Sequence, residues 1–386
     1  MHYDKLTRYL DDPLLARMYH AIQDAGPLRA ILVDITHVCN LRCKGCYFFE
    51  EDMDENPSPS DEAEFDAFLE REHARGTNFV TVVGGEPSLE LARVKKIHDR
   101  FWMTCVTNGM RRIPYEGFES MPIGLSVWGD HETDTYLRGN GKIPVFAQAL
   151  ANYRDDQRAI WYYTTTPKNA GEIERVTAQC IENGNFITYN FYGDISELGG
   201  AYDHGAGFDA VRHEIERMIS RYPDRIIMSP YISQVVSTGK LYGETWGYDV
   251  CCSITPDHPL NRERIENGNP YNTHFRAYNP DLQTTRRCCV GNERDCDNCY
   301  DVYAHMSWIM MNLHKHLESK REFTQWLTTM YLFYLGNRIV DFDDGIAMLP
   351  EIHGRANPEL VHAGDRIISR FEASSRSIDE LVEDVL

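Results

Sequence analysis

From residue 29 to about residue 235 the chain alternates short β-branched runs with helical stretches, and this rhythm limits the fold more than any other feature. RAILVDIT (29–36) reads as a buried strand, SPSDEAEFDAFLEREHARG (58–76) as a helix and NFVTVVGG (78–85) as the next strand. In that helix Phe65, Phe68 and Leu69 share one face. Ser58 is placed to cap it, Pro59 suits its first turn, Asp61 completes a capping box and Gly76 ends it. The series continues with a helix over 88–101, strands over 102–109 and 123–129, and a helix near 143–154. A strand over 159–166, a helix over 170–184, a strand over 186–193, a helix near 207–222 and a strand over 225–232 close it. Parallel strands need crossovers, so the order predicts an α/β fold: a parallel sheet with helices outside. A full or partial barrel and an open doubly wound sheet both satisfy it. In either, ligands sit at the C-terminal ends of the strands.

With 386 residues, 42% of them hydrophobic, the chain can bury a sizeable core. Its start, MHYDKLTRYLDD, lacks the basic-then-apolar pattern of a signal peptide. No apolar run approaches the ~18–20 residues that span a bilayer. The expectation is a cytoplasmic protein without a membrane partner. A formal net charge of −20 argues against nucleic acid and anionic membranes. Half of that excess lies in residues 50–72, which hold eleven acids and one base. Carboxylates at a site mouth would steer a cationic substrate; the alternative is a solvated helix face. The eleven cysteines are an odd number in a reducing compartment, which favours metal or redox chemistry over disulfides.

Three of them, Cys39, Cys43 and Cys46, follow the first strand in HVCNLRCKGCYFFEE. Structural zinc usually takes four ligands in paired units, and here a local fourth is missing. Three thiolates suit an iron–sulfur cluster with one iron left open, although zinc and unligated thiols remain alternatives on spacing alone. Gly84-Gly85-Glu86-Pro87 ends the second strand. Two glycines let a ligand approach the backbone, and Glu86 offers a carboxylate to an ammonium group; a plain strand-end turn is the other reading.

CNLRCKGC after strand one, GGEP after strand two and TNG (107–109) after strand three together resemble the radical S-adenosylmethionine (SAM) superfamily over residues 29–235. The resemblance implies a partial (β/α)6 barrel in which Cys39, Cys43 and Cys46 hold a 4Fe–4S cluster and SAM chelates its open iron. It implies that Gly84, Gly85 and Glu86 bind the methionine moiety, that Ser126 and Arg138 contact SAM, and that Asn190 meets the ribose. Gly45 stands where the family often has a bulky residue against adenine, and Tyr47 is placed to take that contact. An electron donor such as flavodoxin or ferredoxin is implied as partner. The activity implied is reductive cleavage of SAM to a 5′-deoxyadenosyl radical that abstracts hydrogen from a substrate.

Beyond residue 240 the rhythm breaks. Cys251, Cys252, Cys288, Cys289, Cys296 and Cys299 crowd a Gly-, Pro- and Asn-rich segment, whereas Cys105 and Cys180 are single and read as packed core. The crowded set resembles the auxiliary-cluster regions of SPASM/twitch enzymes. It implies a second 4Fe–4S cluster on Cys252, Cys289, Cys296 and Cys299, with Cys251 and Cys288 as alternates. Zinc or no metal are the other readings. The chain divides into a helical extension (1–28), the barrel (29–240), the Cys-rich region (241–305) and a helical segment (306–386), whose Met and aromatic stripes read as core. An auxiliary cluster leans towards oxidation or dehydrogenation, and the acidic block towards a small polar, cationic metabolite of aminosugar or aminocyclitol type. The alternatives are a peptide maturase, a lipid-modifying enzyme and a non-catalytic metal-binding protein. No acid or base stands out; His305 and the tyrosines at 162, 189, 192 and 231 are the candidates.

Overall fold

Six parallel strands lie side by side in the order in which the chain makes them. The structure, a computed structural model, describes residues 2–193, 207–251, 276–286, 296 and 299–356. The strands are β1 (Ala30–Asp34), β2 (Phe79–Val83), β3 (Trp102–Thr107), β4 (Ile123–Val127), β5 (Ala159–Thr165) and β6 (Phe186–Phe191). A doubly wound sheet reverses its strand order at a switch point, and this sheet does not. It is a partial (β/α)6 barrel, with β6 met on its far side by a single bridge from Ile187 to Ile226 among the described residues. A small hairpin, β7 (Lys240–Leu241) and β8 (Glu244–Thr245), stands apart. The sheet's other flank is completed by β9 (Ala277–Tyr278), parallel to β1, and β10 (Thr285–Arg286), antiparallel to β9. There the Arg286 guanidinium meets the buried Asp34 carboxylate at the end of β1.

Alternation along the strands builds two apolar faces, as a parallel sheet needs. Ile31, Val33, Val80, Val82, Leu125 and Trp161 are buried beneath the helices. Leu32, Thr81, Val106 and Tyr162 face the barrel interior and line its cavity. Cys105 and Cys180 are packed core, as expected.

The helices are α1 (His2–Tyr9), α2 (Pro13–Ala25), the single turn α3 (Tyr47–Glu50), α4 (Glu62–Ala74), α5 (Leu91–His98), α6 (His131–Arg138) and α7 (Val145–Asn152). They continue with α8 (Ile173–Glu182), α9 (Asp209–Arg221), α10 (Pro230–Thr238), α11 (Val302–Met311), α12 (Leu313–His316), α13 (Lys320–Gly336) and α14 (Phe342–Ala356). Helix α13 packs between α2, α11 and α14 and reaches the barrel floor, where Phe333 lines the cavity and Asn337 accepts the Thr104 hydroxyl. Among the described residues no helix is long and apolar enough to cross a membrane. The acidic end SIDELVEDVL lies outside the described residues.

Three expectations are corrected. Residues 225–232 are not a strand: a single bridge joins Ile226 to Ile187, then Ser229 caps α10 by accepting from the Ile232 N–H, with Pro230 in the first turn. Helix α4 starts at Glu62, capped by the Asp61 carboxylate, which accepts from the Ala63 N–H; Ser58 instead lies 2.7 Å from His37 Nδ1. Helix α6 was not foreseen, although Asp130 caps it through the N–H groups of Glu132 and Thr133.

The acidic block of α4 faces α5 rather than the barrel mouth. Glu62 pairs with Arg93 at 2.8 Å and Lys96 at 3.0 Å, Asp66 with Lys96 at 2.6 Å, and Glu70 with Arg100. The pairs of Lys96 and Arg100, which are partly exposed, each contribute at most about 1 kcal/mol. The helix face is solvated, and these carboxylates are engaged away from any ligand.

His316 lies fully buried between Tyr231 and Asn312. Its Nδ1–H donates to the Asn312 carbonyl at 2.7 Å, and Nε2 accepts the Tyr231 hydroxyl at 2.8 Å. Burial holds its pKa down at about 4, and burial lowers that of His353 as well. Both imidazoles stay neutral in the fold, while the unfolded chain takes up protons near pH 6.5. Stability is therefore full above about pH 6.5 and declines as pH falls towards 4, with His316 accounting for on the order of 3 kcal/mol. Urea unfolding followed by circular dichroism should show this decline, and His316→Gln should flatten it. An unchanged decline in the variant would refute the assignment.

Candidate active site

The loop between β1 and α3 is stitched to the glycine motif by the main chain. Gly85 N–H donates to the Thr36 carbonyl and Glu86 N–H to the Val38 carbonyl, both at 2.9 Å. The approach is so close that a Cβ on Gly85 would lie 2.1 Å from the Val38 oxygen. This stitching sets Cys39, Cys43 and Cys46 opposite Gly84, Gly85 and Glu86 across one cavity of about 340 Å³. Tyr47, Ser126, Arg138 and Asn190 line the same cavity. Every barrel residue that the sequence singled out for cluster or SAM is thus brought together.

The Glu86 carboxylate is buried and largely engaged by its own chain. One oxygen accepts the Ser88 N–H at 2.9 Å and the Thr107 hydroxyl; the other accepts the Asn108 N–H at 2.9 Å. A carboxylate offers about four acceptor positions, so one remains. Arg138, the last residue of α6, is anchored too. It donates to the Ser126 carbonyl at 2.6 Å, Asp134 at 3.1 Å and the Asn108 carbonyl at 3.3 Å. Burial disfavours its charge, but Asp134 and the Cys43 thiol outweigh that and raise its pKa. Three of its five N–H groups are engaged in this way, and its guanidinium also meets the Cys43 thiol. Among the described residues the Ser126 hydroxyl and the Asn190 side-chain amide have no hydrogen-bond partner, and both border the cavity. Beside Gly45, whose carbonyl accepts the Tyr192 hydroxyl at 3.4 Å, the rings of Tyr192 and Trp128 lie 5.6 Å apart. The mouth is aromatic despite the glycine.

Three thiols that border one shared space are the kind of donor set an iron–sulfur cluster takes. Burial, only partly offset by the Leu41 N–H, pushes Cys39 up to about 11; burial and the neighbouring Cys43 push Cys46 up to about 12; burial also raises Cys43. Loading metal must therefore release protons from all three.

In the second cysteine set, Cys251 is buried, and the Cys299 N–H donates to the Cys296 carbonyl at 3.2 Å. Cys252, Cys288 and Cys289 lie outside the described residues.

Sequence reasoning missed several residues that shape the cavity. Thr107 and Asn108 hold Glu86, and Asn108 Nδ2 also donates to Asn40 Oδ1 at 2.7 Å. The TNG motif that contains them was the available signal. Asp301, Tyr303 and Ser307 enter from the far end of the chain, and nothing local in the sequence announces it.

Residues 26–119 match the family described as a 4Fe–4S single cluster domain. A curated relative named Pre-heme d1 synthase, from Dinoroseobacter shibae, is 27% identical over 200 residues, covering 47% of this chain and 47% of the relative. The chain thus spans about half the length of that relative. Among solved structures, Streptococcus suis SuiB bound to S-adenosylmethionine is 14% identical with a TM-score of 0.42, over 68% of this chain and 63% of that one. Native anSMEcpe with bound AdoMet and Cp18Cys peptide is 13% identical with a TM-score of 0.47, over 88% and 99%. The cysteine loop, the glycine motif and the partial barrel stand in the order that the radical SAM resemblance implies, and the match to the 4Fe–4S single cluster domain covers both motifs.

Proposed function

We propose that the chain is a radical SAM enzyme acting on a small molecule in the barrel cavity. The observation that carries this is the convergence of the three thiols and Gly84-Gly85-Glu86 on that one cavity. The chemistry supplied by the bound cluster is one-electron reduction of the SAM sulfonium, which yields methionine and a 5′-deoxyadenosyl radical that abstracts hydrogen from substrate. Cys39, Cys43 and Cys46 hold the cluster. The Gly84–Gly85 backbone and the remaining acceptor position of Glu86 seat the methionine end, and the Arg138 guanidinium faces the carboxylate. The Ser126 hydroxyl and the Asn190 amide orient the nucleoside. Leu32, Val106, Phe79 and Phe333 keep water from the interior. With the α4 carboxylates engaged by α5, a cationic substrate has no support from that helix.

Anaerobically reconstituted protein given SAM and dithionite should form 5′-deoxyadenosine, and Cys43→Ala should abolish it. Absence of the product with cluster reduced and SAM bound would overturn the reading. A binding measurement stands apart from turnover: Glu86→Gln should weaken SAM roughly 10- to 100-fold by calorimetry, as loss of a charged hydrogen bond does. We also propose an auxiliary cluster on the second cysteine set. Iron should then approach about eight per chain and fall to about four when Cys39, Cys43 and Cys46 are all alanine.

A further inference from the structure

We infer that Tyr162 and Tyr303 form a receptor for one hydroxyl group of the substrate, on the cavity wall below the strand ends. The inference rests on the cavity being the reaction chamber proposed above. Tyr162 lies on β5, two residues before Thr164, and is 5% exposed. Its ring is held flat over β4: a Cβ on Gly124 would lie 2.8 Å from Tyr162 Cε2. Only glycine at 124 leaves room for the ring there. Tyr303 reaches the same place from α11, and its hydroxyl donates to the Tyr162 oxygen at 2.7 Å. The two phenols are 141 residues apart in the chain, and both border the cavity.

A phenol has one proton to give and can accept. The Tyr303 proton is already given to Tyr162. Among the described residues the Tyr162 O–H then has no acceptor, and the Tyr303 oxygen has no donor. The pair presents one donor and one acceptor side by side. An alcohol matches both, accepting from Tyr162 and donating to Tyr303 in a closed ring of three hydroxyls. A carbonyl satisfies only Tyr162, and an ammonium only Tyr303. A carboxylate would sit among Leu32, Phe79, Val106 and Phe333 with the cavity's arginine already anchored elsewhere. Water has the same donor and acceptor character as an alcohol, so an alcohol replaces it without loss of hydrogen bonds. The substrate class is therefore an alcohol whose hydroxyl sits on a largely apolar body.

The test uses the full chain with its cluster reconstituted, without SAM or reductant. Cyclohexanol and methylcyclohexane share a ring and differ by hydroxyl against methyl; ligand-observed NMR gives their affinities. The ratio of the two affinities, cyclohexanol over methylcyclohexane, is the readout. In Tyr162→Phe and in Tyr303→Phe that ratio should fall roughly five- to tenfold below wild type, while methylcyclohexane affinity and the thermal midpoint stay as in wild type. A ratio that is unchanged in both variants overturns the inference. SAM cleavage plays no part in the measurement, so its failure and that of the proposed function are distinguishable.

Discussion

Gly85→Ala should leave the chain unable to retain most of its iron after reconstitution. The added methyl would lie 2.1 Å from the Val38 carbonyl oxygen, and that oxygen also accepts the Glu86 N–H at 2.9 Å. Neither partner is the loose end of a side chain, so the strap must open. Val38 immediately precedes Cys39, and displacing it moves the first thiol away from the other two. Overpacking of this kind costs about 1–3 kcal/mol. The cluster loss should be larger in proportion, because three ligands must meet one object together. Gly171→Ala serves as the control, since a methyl there meets nothing within 4 Å. Iron and sulfide assays on both variants decide the matter: wild-type iron in Gly85→Ala would sink the argument.

The largest effect on stability is expected from Arg158→Met. Arg158 is 1% exposed, and all five of its N–H groups are engaged. Nε and one Nη2 hydrogen bond the Asp156 carboxylate at 2.9 and 2.6 Å; the others reach the carbonyls of Pro114, Phe118 and Ile113 at 2.7, 3.3 and 3.1 Å. Burial opposes the charge on Asp156, yet Arg158 outweighs it and holds that carboxyl below its usual range. Removing the guanidinium leaves the buried carboxylate with only the residue-158 backbone N–H, and leaves the Pro114 and Ile113 carbonyls without their side-chain donor, which costs about 3–5 kcal/mol. Pairing it with Asp156→Leu should recover part of the loss, since the orphaned charge is then gone. Denaturant midpoints for the single and double variants test this. A double variant weaker than the single would show that the carbonyls, rather than the carboxylate, set the cost.

The parallel α/β order was legible because most of its strands are apolar, β-branched or aromatic runs ended by turn residues, and because parallel strands leave no cheaper connection than a helix; the choice of barrel over doubly wound sheet came from the family resemblance. The same apolar signal misled at 225–232. RIIMSPYI is as compatible with a buried helix start as with a strand, and Ser229-Pro230 is the helix-entry pattern that decides it. The residues proposed for cluster and methionine lie in two short motifs at adjacent strand ends, which the sheet register then brings together. Charge left two readings open, a site mouth and a solvated helix face; α4 takes the second, since bases on α5 and Arg100 just beyond it pair with Glu62, Asp66 and Glu70. Tyr303 and Asp301 were beyond reach for a different reason. Which helix enters a barrel is settled by packing of α11 against α13 and α10, and no local period encodes it.

The flank of β1 also carries the history of the chain's synthesis. Leu32 pairs with Val80's neighbour Thr81 on one side and with Ala277 on the other, and Asp34 waits for Arg286, 252 residues later. A ribosome-bound chain short of residue 277 therefore has an open strand edge next to the cysteine loop, of the kind that invites association with other chains. Closing so long a loop is slow relative to the local βα units. The wall beside the thiols is the last part of the sheet to be built.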